Sequence, residues 1–194
     1  IIDSSVNHYN GVLKEPAQWV TGHRGSGVLL NNNYINLGSN NFGLTNELTI
    51  SAWIMTNGDT GADQIIIRRG QYMYPFALFL ERSTSSWPIK GGIRTTGGTQ
   101  YATTYTPRIF IKANECHHVV MTYQSGALVI YLDGTEVVRN NTPVGDLGFG
   151  YGTSETYIGA GPGRTIGGFF NGALDELRIY NRALTPDEVK QLSK

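Results

Sequence analysis

The amino-acid sequence predicts an all-β domain, a sandwich of antiparallel strands closed by one short helix, and three observations predict it. Short segments alternate apolar and polar residues: in Leu48-Thr49-Ile50-Ser51-Ala52-Trp53-Ile54, Leu48, Ile50, Ala52 and Ile54 share one face. Glycine-containing turn signals, such as Asn10-Gly11, Ser125-Gly126, Asp133-Gly134 and Asn171-Gly172, separate those segments. Near the C-terminus the pattern becomes that of a helix start. Thr185 stands as N-cap, Pro186 at the first helical position, and Asp187 and Glu188 in the first turn, with Val189 and Leu192 as an apolar stripe.

The chain has 194 residues, 25 of them glycine, which allows one sizeable core and is short for two, so a single domain over 1–194 is expected. Fifteen Lys and Arg balance fifteen Asp and Glu. That neutrality argues against nucleic acid or an anionic membrane as the main partner and leaves a neutral glycan open. No apolar run is long enough to span a bilayer, and no signal-peptide pattern opens the chain. It starts at Ile1 in strand-like sequence, which reads as an excised module or a mature fragment, and a monomeric module within a longer chain is expected. The single cysteine, Cys116, forms no internal disulfide and is expected as a buried core thiol, because free Cys usually behaves as a small apolar group.

In chain order, residues 1–38 are polar and turn-rich, with Asp3-Ser4-Ser5, the loop Gly22-His23-Arg24-Gly25-Ser26-Gly27, and strands from Val28 and at Tyr34-Ile35-Asn36-Leu37. The glycine-rich loop lacks the preceding strand and following helix that a dinucleotide-binding turn needs. Trp53, in the alternating strand, is expected to sit between the sheets, since Trp is bulky and mostly buried. Strands follow at Gln64–Arg69 and Pro75–Leu80, then at Ile89–Arg94 and Tyr101–Tyr105. The strongest hairpin joins Glu115–Tyr123 to Ala127–Asp133 through Ser125-Gly126. His118 lies alone in an apolar strand and is expected as a hydrogen-bonded structural histidine, because metal ligands come in clusters. In the last strand, simple alternation puts Asp175 on one face with Ala173, Leu177 and Ile179. A carboxylate there is costly unless a metal or donor groups meet it.

Several of these stretches resemble the laminin-G-like, concanavalin A-like jelly-roll domains. The run from Phe169 to Val189, FFNGALDELRIYNRALTPDEV, is close to that family's closing signature. Asp3, Ser4, Gly11, Gly22 and Gly25 fit its N-terminal pattern, with Ser5 near a usual glycine. Leu48–Ile54, the hairpin after Glu115 and Tyr157-Ile158-Gly159 match its strands, although Cys116 replaces the usual tryptophan. The resemblance covers nearly the whole chain and is loosest from about Gln71 to Arg108. It implies a two-sheet antiparallel jelly roll. It also implies a calcium ion where the chain's ends meet, held by Asp3, Asp175 and loop carbonyls such as that of Gly22.

The chemistry in the sequence points to binding. Jelly-roll glycosidases place paired acids on one strand face, as E-x-D-x-E, and no such run occurs; nor does G-x-S-x-G, H-E-x-x-H or Cys-x-x-Cys. Sugar recognition needs aromatic faces and planar polar groups, which Tyr72, Tyr74, Trp87, Arg94, Gln100, Tyr101 and Tyr105 supply. The expected function is a non-catalytic carbohydrate-binding module recognising a polysaccharide or oligosaccharide, part of an extracellular or cell-surface enzyme or adhesin. A protein-interaction module of laminin-G type is the alternative, and a glycan lyase or hydrolase ranks third.

Overall fold

The computed structural model of the chain describes residues 1–70, 75–82, 87–95, 101–149, 155–161 and 166–194, with 101–110 as backbone only. Along the chain run β1 (Val12–Lys14), β2 (Gln18–Thr21), β3 (Ser26–Leu30), β4 (Tyr34–Asn36), β5 (Glu47–Thr56), β6 (Gln64–Arg69) and β7 (Phe76–Leu80). Then come β8 (Trp87–Arg94), β9 (Tyr101–Ile111), β10 (Cys116–Gln124), β11 (Ala127–Leu132), β12 (Thr135–Asn140), β13 (Thr156–Ile158), β14 (Gly172–Tyr180) and helix α1 (Pro186–Leu192). Among the described residues these strands form two antiparallel sheets, ordered β1-β4-β13-β6-β7-β8-β9 and β12-β11-β10-β5-β14-β3-β2. This is the jelly-roll sandwich the sequence predicts.

The core lies between the sheets. Leu48, Ile50, Ala52 and Ile54 of β5 meet Phe76, Leu78 and Leu80 of β7 in one apolar cluster. That alternation is why a strand of this composition sits centrally, paired with β10 on one side and β14 on the other. Gly91 lets the sheets approach, since a Cβ there would lie 2.6 Å from Ile130 and 2.7 Å from Met121.

The outer face of the second sheet is closed by the tail. Leu184 and Val189 pack on Val120, Ala127, Val129 and Tyr131. Thr185 caps the helix with the reciprocal Glu188 contact that its sequence promises. Thr49 Oγ1 accepts the Leu184 N–H at 2.9 Å and donates to the Arg182 carbonyl at 2.8 Å, tying the tail to β5.

Two expectations about this sheet are corrected. Trp53 pairs with Asp175 and His118, residues of the outward-facing rows, so it lies on the sheet's outer surface and not between the sheets. There the His23 ring stacks on it, centroids 3.5 Å apart and 9° from parallel. Cys116 is exposed, because its place at the start of β10 precedes the buried part of the strand.

Candidate functional site

Where the last strand passes β5 it carries a bulge. Asp175 pairs with Trp53 but Arg178 pairs with Ser51, so one extra residue enters, and Glu176 takes φ 49° to allow it. Alternation therefore changes phase. Leu174 faces the core before the bulge, while Leu177 and Ile179 pack on it afterwards. Asp175 does not share a face with Leu177 and Ile179, as simple alternation implies; it points outward. Its Oδ1 accepts the Glu176 N–H at 2.8 Å and its Oδ2 the Arg24 N–H at 2.9 Å. Gly22 lies so close that a Cβ there would collide with this carboxylate. The acid thus anchors the loop that carries His23 over Trp53.

Beneath that stack His118 is buried, 1% exposed, with Nε2 2.8 Å from Ser51 Oγ. Burial, with smaller contributions from His23 and Arg178 and opposed by Asp133, pushes its pKa down to about 4. The imidazole is therefore neutral at pH 7, a structural group.

Asp3, at the other end, closes a turn. Its carboxylate accepts Ser5 N–H at 2.8 Å, Ser5 Oγ–H at 2.7 Å and Tyr9 N–H at 2.8 Å. The amide of Ser5, then its hydroxyl, hold the pKa below the usual carboxylate range. Asp3 and Asp175 border one cavity of about 670 Å³, so both ends of the chain do meet there. As donors the two carboxylates suit a hard cation, since each has lone pairs beyond the bonds it makes. Among the described residues no three His, Cys, Asp or Glu gather in a metal-binding cluster, so carbonyls would have to complete any such shell.

The sugar-site residues expected from the sequence divide. Tyr72, Tyr74 and Gln100 lie outside the described residues. In the β8–β9 ladder Arg94 stands opposite Tyr101 and Lys90 opposite Tyr105, so these positions come together at the edge of the first sheet. Arg94 is buried, 4% exposed. Trp87 is half-buried and packs against the main core, and its indole N–H has no partner among the described residues. It faces inward because it pairs with Ile111 two places from the inward Ile89.

The sequence reading missed three neighbours on the first sheet's outer face. Lys90 Nζ lies 5.8 Å from the Phe79 ring centroid and 2.7 Å from Glu81 Oε1. Phe79 forms a small outer cluster with Ile65 and Ala77. Its alternation with inward Leu78 and Leu80 was the available signal.

Two antiparallel sheets in this strand order define a jelly-roll sandwich. The model of the concanavalin A-like lectin/glucanases superfamily matches residues 29–190, and the chain belongs to that superfamily. Among solved structures, it is similar to domain 4 of AbnA, a GH43 extracellular arabinanase from Geobacillus stearothermophilus, in complex with arabinotriose. That match has 20% identity and a TM-score of 0.73 and covers 95% of this chain and 88% of that one. The heptameric SAP-like pentraxin of Limulus polyphemus is similar at 18% identity and TM-score 0.58, over 81% of this chain and 79% of that one. The binding domain of botulinum neurotoxin serotype G follows at 13% identity and TM-score 0.70, over 99% of this chain and 47% of that one.

Proposed function

We propose that this domain is a non-catalytic carbohydrate-binding module that recognises a polysaccharide as part of a longer extracellular enzyme or adhesin. The observation that carries the reading is the strip on the first sheet, where the part-exposed Lys90–Glu81 pair neighbours the ladder positions of Tyr101 and Tyr105, above a Phe79 ring that is itself buried. Charged hydrogen-bonding groups beside tyrosine positions on an edge strand are what the hydroxyls and C–H face of a sugar ring call for. The likeness over 95% of the chain to an arabinanase domain solved with arabinotriose supports the same reading. Glycosidase chemistry needs two carboxylates flanking the bond. Among the described residues of the strip Glu81 stands alone, held by Lys90.

Calcium is part of the proposal. Asp3 and Asp175, with the Gly22 carbonyl, would hold the ion and join the two ends of the chain; it would supply cross-linking, not chemistry. A protein-docking role is the second reading, favoured by the exposed Ile2, Val6 and Val12.

The test is retention on insoluble polysaccharides and on a glycan array, with and without a chelator. Retention on at least one polysaccharide is expected. No retention on any would move the assignment to protein docking.

A further inference from the structure

The cavity between the chain's ends has a volume of about 670 Å³. Small-molecule sites run to roughly 300–1,000 Å³. Its floor is the inner face of the sandwich where the sheet edge opens, lined by Val28, Ile158 and Leu174. At its mouth stands Trp19. In the β2–β3 ladder Trp19 pairs with Val28, which places it on the inner side of the second sheet, on an edge strand. An inward aromatic is normally covered, yet Trp19 is 62% exposed. Asn7 and Asn181, both exposed, border the same cavity, and their side-chain amides make no hydrogen bond among the described residues.

We propose that this cavity is a saccharide subsite, separate from the strip on the first sheet, in which Trp19 stacks on a sugar ring and the Asn7 and Asn181 amides bond its hydroxyls. It rests on the carbohydrate-binding reading of the domain. A broad aromatic face, two free planar amides and a concave apolar floor are complementary to a ring with one C–H face and a belt of hydroxyls. The charges on the rim select the class of sugar. Asp175, Glu176 and Asp3 outnumber Arg178, which is itself paired with Glu176. With Asp3 and Asp175 unliganded a uronate would meet net repulsion, and with Ca²⁺ on them the rim is close to neutral; neither state offers an excess of positive charge, so the ligand is a neutral oligosaccharide. A peptide could also lie along the free edge of β2, but free amides around a single exposed indole suit hydroxyls better than an apolar side chain.

The test is titration calorimetry of short neutral oligosaccharides, arabino-oligosaccharides included, against wild type, Trp19→Ala, Trp19→Phe, Asn181→Ala and Lys90→Ala. Trp19→Ala should weaken binding about ten- to a hundredfold, by loose analogy with base–aromatic stacking. Trp19→Phe should recover part of the loss because it keeps a ring, and Asn181→Ala should weaken binding by less than Trp19→Ala. The melting temperature should not move, since Trp19 is exposed. Unchanged affinity in Trp19→Ala, with loss in Lys90→Ala, overturns the subsite while leaving the carbohydrate module standing, and assigns Trp19 to protein docking. No binding by wild type to any sugar overturns both.

Discussion

The two ends of the chain carry similar apolar side chains and use them differently. At the C-terminus, Leu184 and Val189 are 6% and 0% exposed, pressed on the outer face of the second sheet and fixed by Thr49 and the helix cap. At the N-terminus, Ile2, Val6, Val12 and Trp19 are 85%, 92%, 58% and 62% exposed. Among the described residues the only other large hydrophobics left so open are Ile1 and Val144. One end completes the fold; the other leaves apolar side chains in water, Ile2 and Trp19 of them at the border of a cavity. On the proposed function the difference separates scaffold from working surface, because a fold gains nothing from side chains that remain solvated.

The largest effect that can break this comparison is on stability. Leu184→Ala should cost about 2–5 kcal/mol in denaturant unfolding, since it empties a packed site. Val6→Ala should stay within about 0.5 kcal/mol. Equal costs at the two positions would erase the distinction between the ends.

Calcium would sharpen it by linking them. At a hundredfold excess over Kd, an ion bound only by the native state adds about 2.7 kcal/mol. Chelation should then lower the melting temperature by about 5–10 °C at this chain length. Asp175→Asn should reproduce that drop and abolish further sensitivity to chelator. A melting curve indifferent to chelator, with Asp175→Asn equally destabilising in both conditions, reduces the carboxylate to an anchor for the Arg24 amide.

Acid should act on the closed face. His118 titrates near 6.5 when unfolded and at about 4 when folded. The folded value is depressed, so the unfolded chain binds the extra proton first. The contribution of His118 is whole above pH 6.5 and is lost as pH falls towards 4. Thermal melts across that window should show a decline that His118→Gln flattens. A decline of equal size in the variant would place the acid sensitivity elsewhere.

Much of the fold was legible. Alternation in Leu48–Ile54, the hairpin around Ser125-Gly126 and the cap at Thr185 each reflect local physics that the packing obeys. The failures are where a single backbone irregularity or a long-range neighbour decides. Glu176 adopts a positive φ without being glycine, so nothing in its identity announces the bulge that turns Asp175 outward. Trp53 is sheltered by His23, thirty residues away in sequence, and periodicity does not encode that stack. Residue type alone points to Trp87 and Arg94 as sugar contacts, whereas burial depends on the fold: the structure half-buries the first against the core and buries the second. Trp19 went unnoticed because its exposure depends on the sheet edge ending beside it, a property of topology. Phe79 was within reach of the alternation in its own strand.

The three tryptophans give the most direct measurement, since they occupy three different situations: Trp53 beneath His23, Trp87 on the core and Trp19 in water. In an amide-correlation NMR spectrum each gives one indole N–H signal, assigned by single Trp→Phe variants. On titration with a neutral oligosaccharide selected by the glycan array, the Trp19 signal should move or broaden in step with binding while the Trp53 and Trp87 signals hold still. Saturable sugar binding that leaves the Trp19 signal in place and shifts another would contradict the division of the molecule into a closed C-terminal scaffold and an open N-terminal site.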